Sequence, residues 1–271
     1  MIREITSKDN PVIKMVRQLD KPSFSRREGL IFVEGFRLVQ EALQAGLEIV
    51  HVLITAQTRK STGWLQLESW HQLMCDESDC IELSEKLFRS ISGTENPQGI
   101  ALVCKTPIKL EPTQKPSANG LYLLLEEIQD PGNMGTMIRT ADAFAFDAVL
   151  ITSGCVWPYY DKALRSSMGS VFHLPVFEFS NVETAVSWLK QSDITILAAD
   201  LNGIDLPRLR HNDSVKIGRP AAVIIGNEGR GLTDMALGNA DVRLRIPMPG
   251  QAESLNAAAA AAIICYELSC L

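Results

Sequence analysis

The sequence predicts an α/β protein of two domains, the second built on an open, mostly parallel sheet. Three observations carry this expectation. Short apolar runs alternate with stretches of helical periodicity along most of the chain, the pattern of strand–helix–strand units. Leu121 to Leu125 is continuously apolar, as in a strand buried on both faces. Between the halves, residues 106–119 (TPIKLEPTQKPSAN) hold three prolines and few large apolar side chains, the composition of a linker. The expected division is a small α/β domain at 1–105, the linker at 106–119 and a second domain at 120–271.

In chain order, Ser7 to Asp9 cap a helix ending at Leu19, with Pro11 in its first turn and Val12, Ile13, Val16 and Leu19 on one face. Lys21 to Glu28 is polar and basic and reads as a loop. Leu30 to Val33 is a strand, and Glu34-Gly35 opens a helix that Gly46 ends. Ile49 to Thr55 is a strand, 60–74 a helix and Ile81 to Leu83 a strand. Ser84 caps a helix to Ile91, and a polar turn from Gly93 to Gly99 precedes the strand Ile100 to Cys104. In the second domain, strands are expected at Leu121–Leu125, Ala148–Ile151, Val171–Val176, Ile194–Ala198, Ala221–Ile225 and Val242–Ile246. Helices are expected from about Met134 to Phe144, at Asp161–Ser167, from Asn181 to Lys190, and in the alanine-rich C-terminus. Turns at 129–133, 200–203, 226–231 and 247–250 each follow a strand. They belong at the carboxyl edge of the sheet, where ligands bind in such folds.

The 271 residues carry a net charge of −6, which argues against a protein wrapped wholesale around nucleic acid. Residues 1–37 run the other way, with eight Lys/Arg against five acids and so a net +3. No apolar run approaches the roughly 18–20 residues of a membrane span, and the start has no signal-peptide pattern, so a cytoplasmic protein is expected. Six cysteines form no CxxC pair, so reduced thiols are expected and no metal site.

The turn Gly226-Asn-Glu-Gly-Arg-Gly231 is G-x-x-G-x-G, neither a dinucleotide fingerprint nor a P-loop. A nicotinamide-dependent dehydrogenase therefore loses support. The strand-end turns offer Asn133, Arg139, Glu228, Ser254 and Asn256, without a His or Cys nucleophile. Each has an ordinary structural reading as a cap, loop acid or surface cation. Together they suit a site that works by hydrogen bonding and positioning rather than by a hydrolytic triad or a metal.

Three stretches carry a resemblance: Glu127-Ile-Gln-Asp-Pro-Gly-Asn-Met-Gly135 with Ile138-Arg-Thr-Ala141, Ile225-Gly-Asn-Glu-Gly-Arg-Gly-Leu232, and Ile246-Pro-Met-Pro-Gly250 with Ser254-Leu-Asn256. They resemble, in order and spacing, the motifs of the SpoU/TrmH family of RNA ribose 2′-O-methyltransferases, in the SPOUT superfamily. Ala145 stands where members often carry Gly. Ser7-Lys-Asp-Asn-Pro11, Phe32-Val-Glu-Gly35 and Asn96-Pro-Gln-Gly99 are similar to the substrate-binding domain that often precedes that catalytic domain.

The resemblance implies a deep trefoil knot, S-adenosyl-L-methionine as cofactor, and a homodimer through the knotted region whose sites the partner completes. It implies catalytic roles for Arg139, Asn133, Glu228, Ser254 and Asn256, with Arg139 either assisting deprotonation or clamping a phosphate. Cofactor contacts are implied at Gly226, Ile246, Leu255, Met248 and Leu201. Arg26, Arg27, Lys14 and Arg37 would meet RNA phosphates. The substrate implied is RNA, not DNA, with ribosomal RNA favoured over transfer RNA. A rival is a catalytically silent RNA-binding or ribosome-assembly protein.

Overall fold

The computed structural model describes residues 2–67, 80–107, 109–110, 112, 114–207 and 218–270. It divides into two compact units. One gathers the chain up to Pro107 together with Tyr159–Phe172; the other holds Ile108–Pro158 and His173–Leu271. The expected domain at 120–271 is thus interrupted, because 159–172 packs with the first unit. On the helix Asp161–Ser167, Arg165 pairs with Asp161 and reaches the Gly93 carbonyl at 3.5 Å. Gly169 lies so close to Glu41 that a Cβ would sit 2.5 Å from its Cγ.

The first unit is built on a five-stranded sheet of β1 (Arg3–Ile5), β2 (Leu30–Glu34), β3 (Ile49–Thr55), β4 (Cys80–Leu83) and β5 (Ile100–Lys105). Their order is β1-β4-β3-β5-β2. β1, β4 and β3 run parallel, and β5 runs antiparallel to β3 and β2. The helix Pro11–Leu19 buries Ile13, Val16 and Leu19 against this sheet's core. Its cap is Asn10, one residue past the expected Ser7–Asp9, with Oδ1 accepting from the Val12 amide at 2.9 Å. Lys21–Glu28 is not a loop: Pro22–Glu28 is a helix. Pro22 presets its first turn and Gly29, at φ 64°, ends it, whereas its charged surface hides the periodicity. Of the helix expected at 60–74, residues 62–67 are helical and 68–74 lie outside the described residues.

The second unit is a seven-stranded sheet of β6 (Lys109–Leu110), β7 (Leu121–Leu125), β8 (Ala148–Thr152), β9 (Val176–Phe179), β10 (Thr195–Asp205), β11 (Ala221–Ile225) and β12 (Val242–Arg245). The order is β12-β10-β11-β7-β8-β9-β6, and every pairing is parallel. β7, β8 and β11 are buried along their whole length, since helices cover both faces of such a sheet. Part of the expected linker, Lys109–Leu110, is an edge strand on β9.

Val171–Val176 is not a strand: Ser170–His173 is a short helix and the strand is Val176–Phe179. Met168 (φ 53°) and Gly169 (φ 99°) turn the chain just before it, which an apolar run does not disclose. Residues 200–203 are not a turn ending a strand but a bulge within β10, whose pairing to β12 resumes at Ile204↔Leu244. The helix Asp234–Asn239 was not anticipated.

β8 and β9 lie on one side of β7, and β11, β10 and β12 on the other. The strand order therefore reverses at the β7/β11 seam, the topological switch point where open parallel sheets form a crevice. The turns after β7 and β11 leave from adjacent strands there.

Candidate active site

The turn after β11 is closed on itself. Asn227 and Gly231 exchange backbone hydrogen bonds of 3.1 and 2.9 Å. The Asn227 Oδ1 accepts the amides of Gly229 (2.9 Å) and Arg230 (3.0 Å), an Asx turn. Gly226 is required by packing, because a Cβ there would stand 2.4 Å from the Gly231 carbonyl carbon. The neighbouring turn after β7 is tied to this turn and to Thr233 just beyond it. Asn227 Nδ2 donates to the Glu127 carbonyl (2.8 Å), Arg230 pairs with Glu127 (2.7 Å), and buried Glu126 accepts from Thr233 Oγ1 (2.7 Å) and its amide (3.0 Å).

These ties present Glu228 to the start of the helix Pro131–Ala143. Its carboxylate accepts the amides of Gln129 (3.2 Å) and Asp130 (3.1 Å) and Asn133 Nδ2 (3.0 Å). Burial pushes the Glu228 carboxyl up, but the hydrogen bonds from Asn133 and these backbone amides outweigh it and hold it below its ordinary value. Asp130 caps the helix by accepting the Asn133 amide at 2.8 Å.

With Asn133 Nδ2 facing a carboxylate, its Oδ1 is left to accept. It takes the Asn256 Nδ2 at 3.0 Å. The Asn256 Oδ1 in turn caps the helix Ala257–Ser269, accepting from Ala258 (2.9 Å) and Ala259 (3.2 Å). A relay of hydrogen bonds thus joins Glu228, Asn133 and Asn256 to a helix N-terminus.

Ser254 and Leu255 precede that cap and line a cavity of about 120 Å³ with Leu201, Ile246, Met248 and Ile264. An adjoining hollow of about 520 Å³ is walled by Leu201 and the backbone turn from Ile246 to Pro249. Leu201 and Leu255 remain 55% and 38% exposed, so flat apolar surface is left uncovered at the rim. Asp200, also in the wall, has its Oδ2 buried without a hydrogen-bond partner among the described residues; Arg243 Nη1 is 3.6 Å away. Apolar walls with one acceptor that is ion-paired but not hydrogen-bonded fit a ligand that has an apolar ring and a polar donor.

The structure thus brings Asn133, Glu228 and Asn256 into contact, with Ser254, Leu255, Ile246, Met248 and Leu201 around the adjacent cavity. Gly226 shapes the turn rather than lining that cavity. Arg139 does not join the relay. It lies six residues beyond Asn133 in the same helix, about 9 Å of rise, exposed and without an ion pair or side-chain hydrogen bond among the described residues. Glu228 holds the turn and Asn133, not Arg139. Sequence reasoning missed Glu126, Asn227 and Thr233, whose roles come from pairings across some hundred residues.

In the first unit, Lys14 pairs with Asp9 (3.4 Å), and Arg27 pairs with Glu28 (2.9 Å) and stacks over Phe24 (4.9 Å). Arg26 and Arg37 are exposed.

Residues 120–266 match the SpoU rRNA Methylase family, and residues 10–102 match the MRM3-like substrate binding domain. The chain is 36% identical to the 23S rRNA (guanosine(2553)-2′-O)-methyltransferase RlmP of Bacillus subtilis, over 98% of this chain and 99% of that one. It is 27% identical to human mitochondrial rRNA methyltransferase 3, over 90% of this chain and 68% of that protein. Among solved structures, an AdoMet-bound rRNA methyltransferase from Sinorhizobium meliloti superposes with a TM-score of 0.85 at 27% identity, covering 98% of this chain and 97% of that one. Its all-parallel sheet, its paired strand-end turns and these matches together make the chain a member of the SpoU rRNA methylase family.

Proposed function

We propose that the protein methylates a ribose 2′-hydroxyl of ribosomal RNA, using S-adenosyl-L-methionine held in the cavity between Leu201, Ile246, Met248 and Leu255. The observation that carries this reading is the Glu228–Asn133–Asn256 relay beside that cavity, in a chain of this family. When bound, the cofactor supplies an electrophilic methyl group on a sulfonium. The apolar walls and the turn Ile246–Pro249 receive the adenosine, and Asp200 Oδ2, paired with Arg243 but without a hydrogen bond, accepts from a hydroxyl or amine of the ligand. Gly226 keeps the turn after β11 in place beside it. The relay and Ser254 fix the ribose at the cavity mouth, so that the gain is one of positioning.

Arg139 stays protonated, as guanidinium does in proteins. It therefore acts as a clamp on the phosphate next to the reacting ribose, stabilising the developing alkoxide while phosphate or water takes the proton. An exposed arginine off the relay suits a site completed by a second subunit, so the working form is a homodimer with a knotted interface. Requiring a 2′-hydroxyl selects RNA over DNA. Arg26, Arg27, Lys14 and Arg37 meet its phosphates, and the protein works in the cytoplasm.

The test is mass-spectrometric mapping of ribose methylation in ribosomal RNA with and without the gene, starting from the nucleotide equivalent to guanosine 2553 that RlmP is named for. Arg139→Ala is expected to keep its fold and cofactor binding while losing at least roughly a hundredfold in methyl transfer. Full activity in that variant would remove Arg139 from the chemistry.

A further inference from the structure

A second hollow, of about 210 Å³, lies within the first unit, lined by Phe36, Thr55, Gln57, Thr58, Ser61, Glu85, Pro97, Gln98 and Gly99. Three glycines let its lining residues pack closely. A Cβ on Gly99 (φ +71°) would stand 2.3 Å from Thr58 Oγ1. One on Gly63 would stand 2.8 Å from the Phe36 ring, and one on Gly35 (φ +92°) 3.1 Å from Gln98 Oε1. The floor is polar and internally satisfied. Thr55 and Thr58 are buried, share a hydroxyl contact of 3.1 Å, and Thr58 donates to the Gln98 carbonyl at 2.8 Å.

The rim is not satisfied. Gln98 Oε1 accepts the Phe36 amide at 2.8 Å, which fixes the side chain and leaves its Nε2 without a partner among the described residues. The exposed Gln57 and Glu85 side chains likewise have none there. The hollow therefore combines an aromatic face, a proline, two amides and one carboxylate. The chain next to it is basic: Arg37 follows Phe36, Lys60 follows Arg59, which is itself ion-paired with Glu82 at 3.2 Å, and Lys86 follows Glu85. In a protein of net charge −6, such a rim is a local departure from the whole.

We infer that this hollow receives one unpaired base of the substrate RNA, stacked on Phe36 and read at its edge by Gln57, Glu85 and Gln98. Single-stranded RNA is recognised by stacking unpaired bases on aromatic rings and hydrogen-bonding their edges. Amide and carboxylate side chains are the groups that read base edges, and a carboxylate takes only base donors such as a cytosine amino group. The neighbouring cations meet the flanking phosphates. This inference rests on the methyltransferase reading and assigns its substrate domain a specific contact.

The experiment uses the full-length protein with ribosomal RNA extracted from a strain lacking the gene. Phe36→Leu keeps an apolar side chain over Gly63 but cannot stack, and Gln57→Ala alters only an exposed residue. Each is expected to raise the KM for RNA, Phe36→Leu by roughly five- to a hundredfold, with cofactor affinity by calorimetry unchanged. Ultraviolet cross-linking should attach a nucleotide to the peptide holding Phe36 or Gln98. Unchanged KM in both variants, with cross-links only elsewhere, would overturn this site while leaving the enzyme reading intact. Failure of the wild-type protein to bind the cofactor or methylate the RNA would instead overturn the enzyme reading itself.

Discussion

Asn256 offers a way to separate stability from chemistry within one side chain. Its Oδ1 caps the helix Ala257–Ser269, and its Nδ2 holds Asn133. Asn256→Ala removes both functions. The lost cap costs about 1 kcal/mol, and Asn133 Oδ1, being near solvent, adds little once water replaces Asn256. Asn256→Asp keeps an acceptor for the Ala258 and Ala259 amides and adds charge favoured at a helix N-terminus by about 0.3–1 kcal/mol. It also sets a carboxylate oxygen against the Asn133 carbonyl oxygen, so the relay breaks. Denaturant midpoints should therefore fall for Asn256→Ala and hold or rise for Asn256→Asp. Methyl transfer should fall in both, by roughly ten- to a hundredfold as for other misplaced positioning groups. Wild-type turnover in Asn256→Asp would show that the relay does not position the site, whatever the stability result.

Two further outcomes follow from the same geometry. The Glu228 carboxyl is held below its ordinary 4.5, so its stabilisation is present above that pH and is lost as the pH falls through the depressed value. Thermal midpoints measured from about pH 6 down to about pH 3 should drop more steeply for the wild type than for Glu228→Gln; parallel curves would count against this carboxylate network. Gly226→Ala has no room beside the Gly231 backbone and should cost about 1–3 kcal/mol. The same change should weaken cofactor binding in calorimetry; a variant as stable as the wild type would mean that the turn is not close-packed.

How far the sequence disclosed this molecule varies by element, for physical reasons. Leu121–Leu125 and Ala221–Ile225 were legible because strands buried on both faces must be apolar throughout. The polar sequence Asp200-Leu-Asn-Gly203 has turn chemistry. It became a bulge because β12 runs beside it, with Gly203 against the Arg243–Leu244 backbone, a tertiary fact. The site's residue types were legible in the motifs, but their partners were not. Asn133 meets Glu228 across 95 residues and Asn256 across 123, separations that no local period records. Arg139 was expected at the same edge because six residues are under two turns of helix; it shares the helix with Asn133 but not the relay.

Residues 159–172 bear on how this protein can be taken apart. They sit inside the stretch that matches the catalytic family yet pack with the first unit. The chain therefore passes between the units three times, not once. A fragment that starts at residue 120 keeps Arg165 and Gly169 but discards Gly93 and Glu41, the groups they pack on. The two halves are not interchangeable cassettes. A foreign substrate domain grafted at the proline-rich stretch would have to supply its own seat for this segment, and recombination between relatives is constrained in the same way.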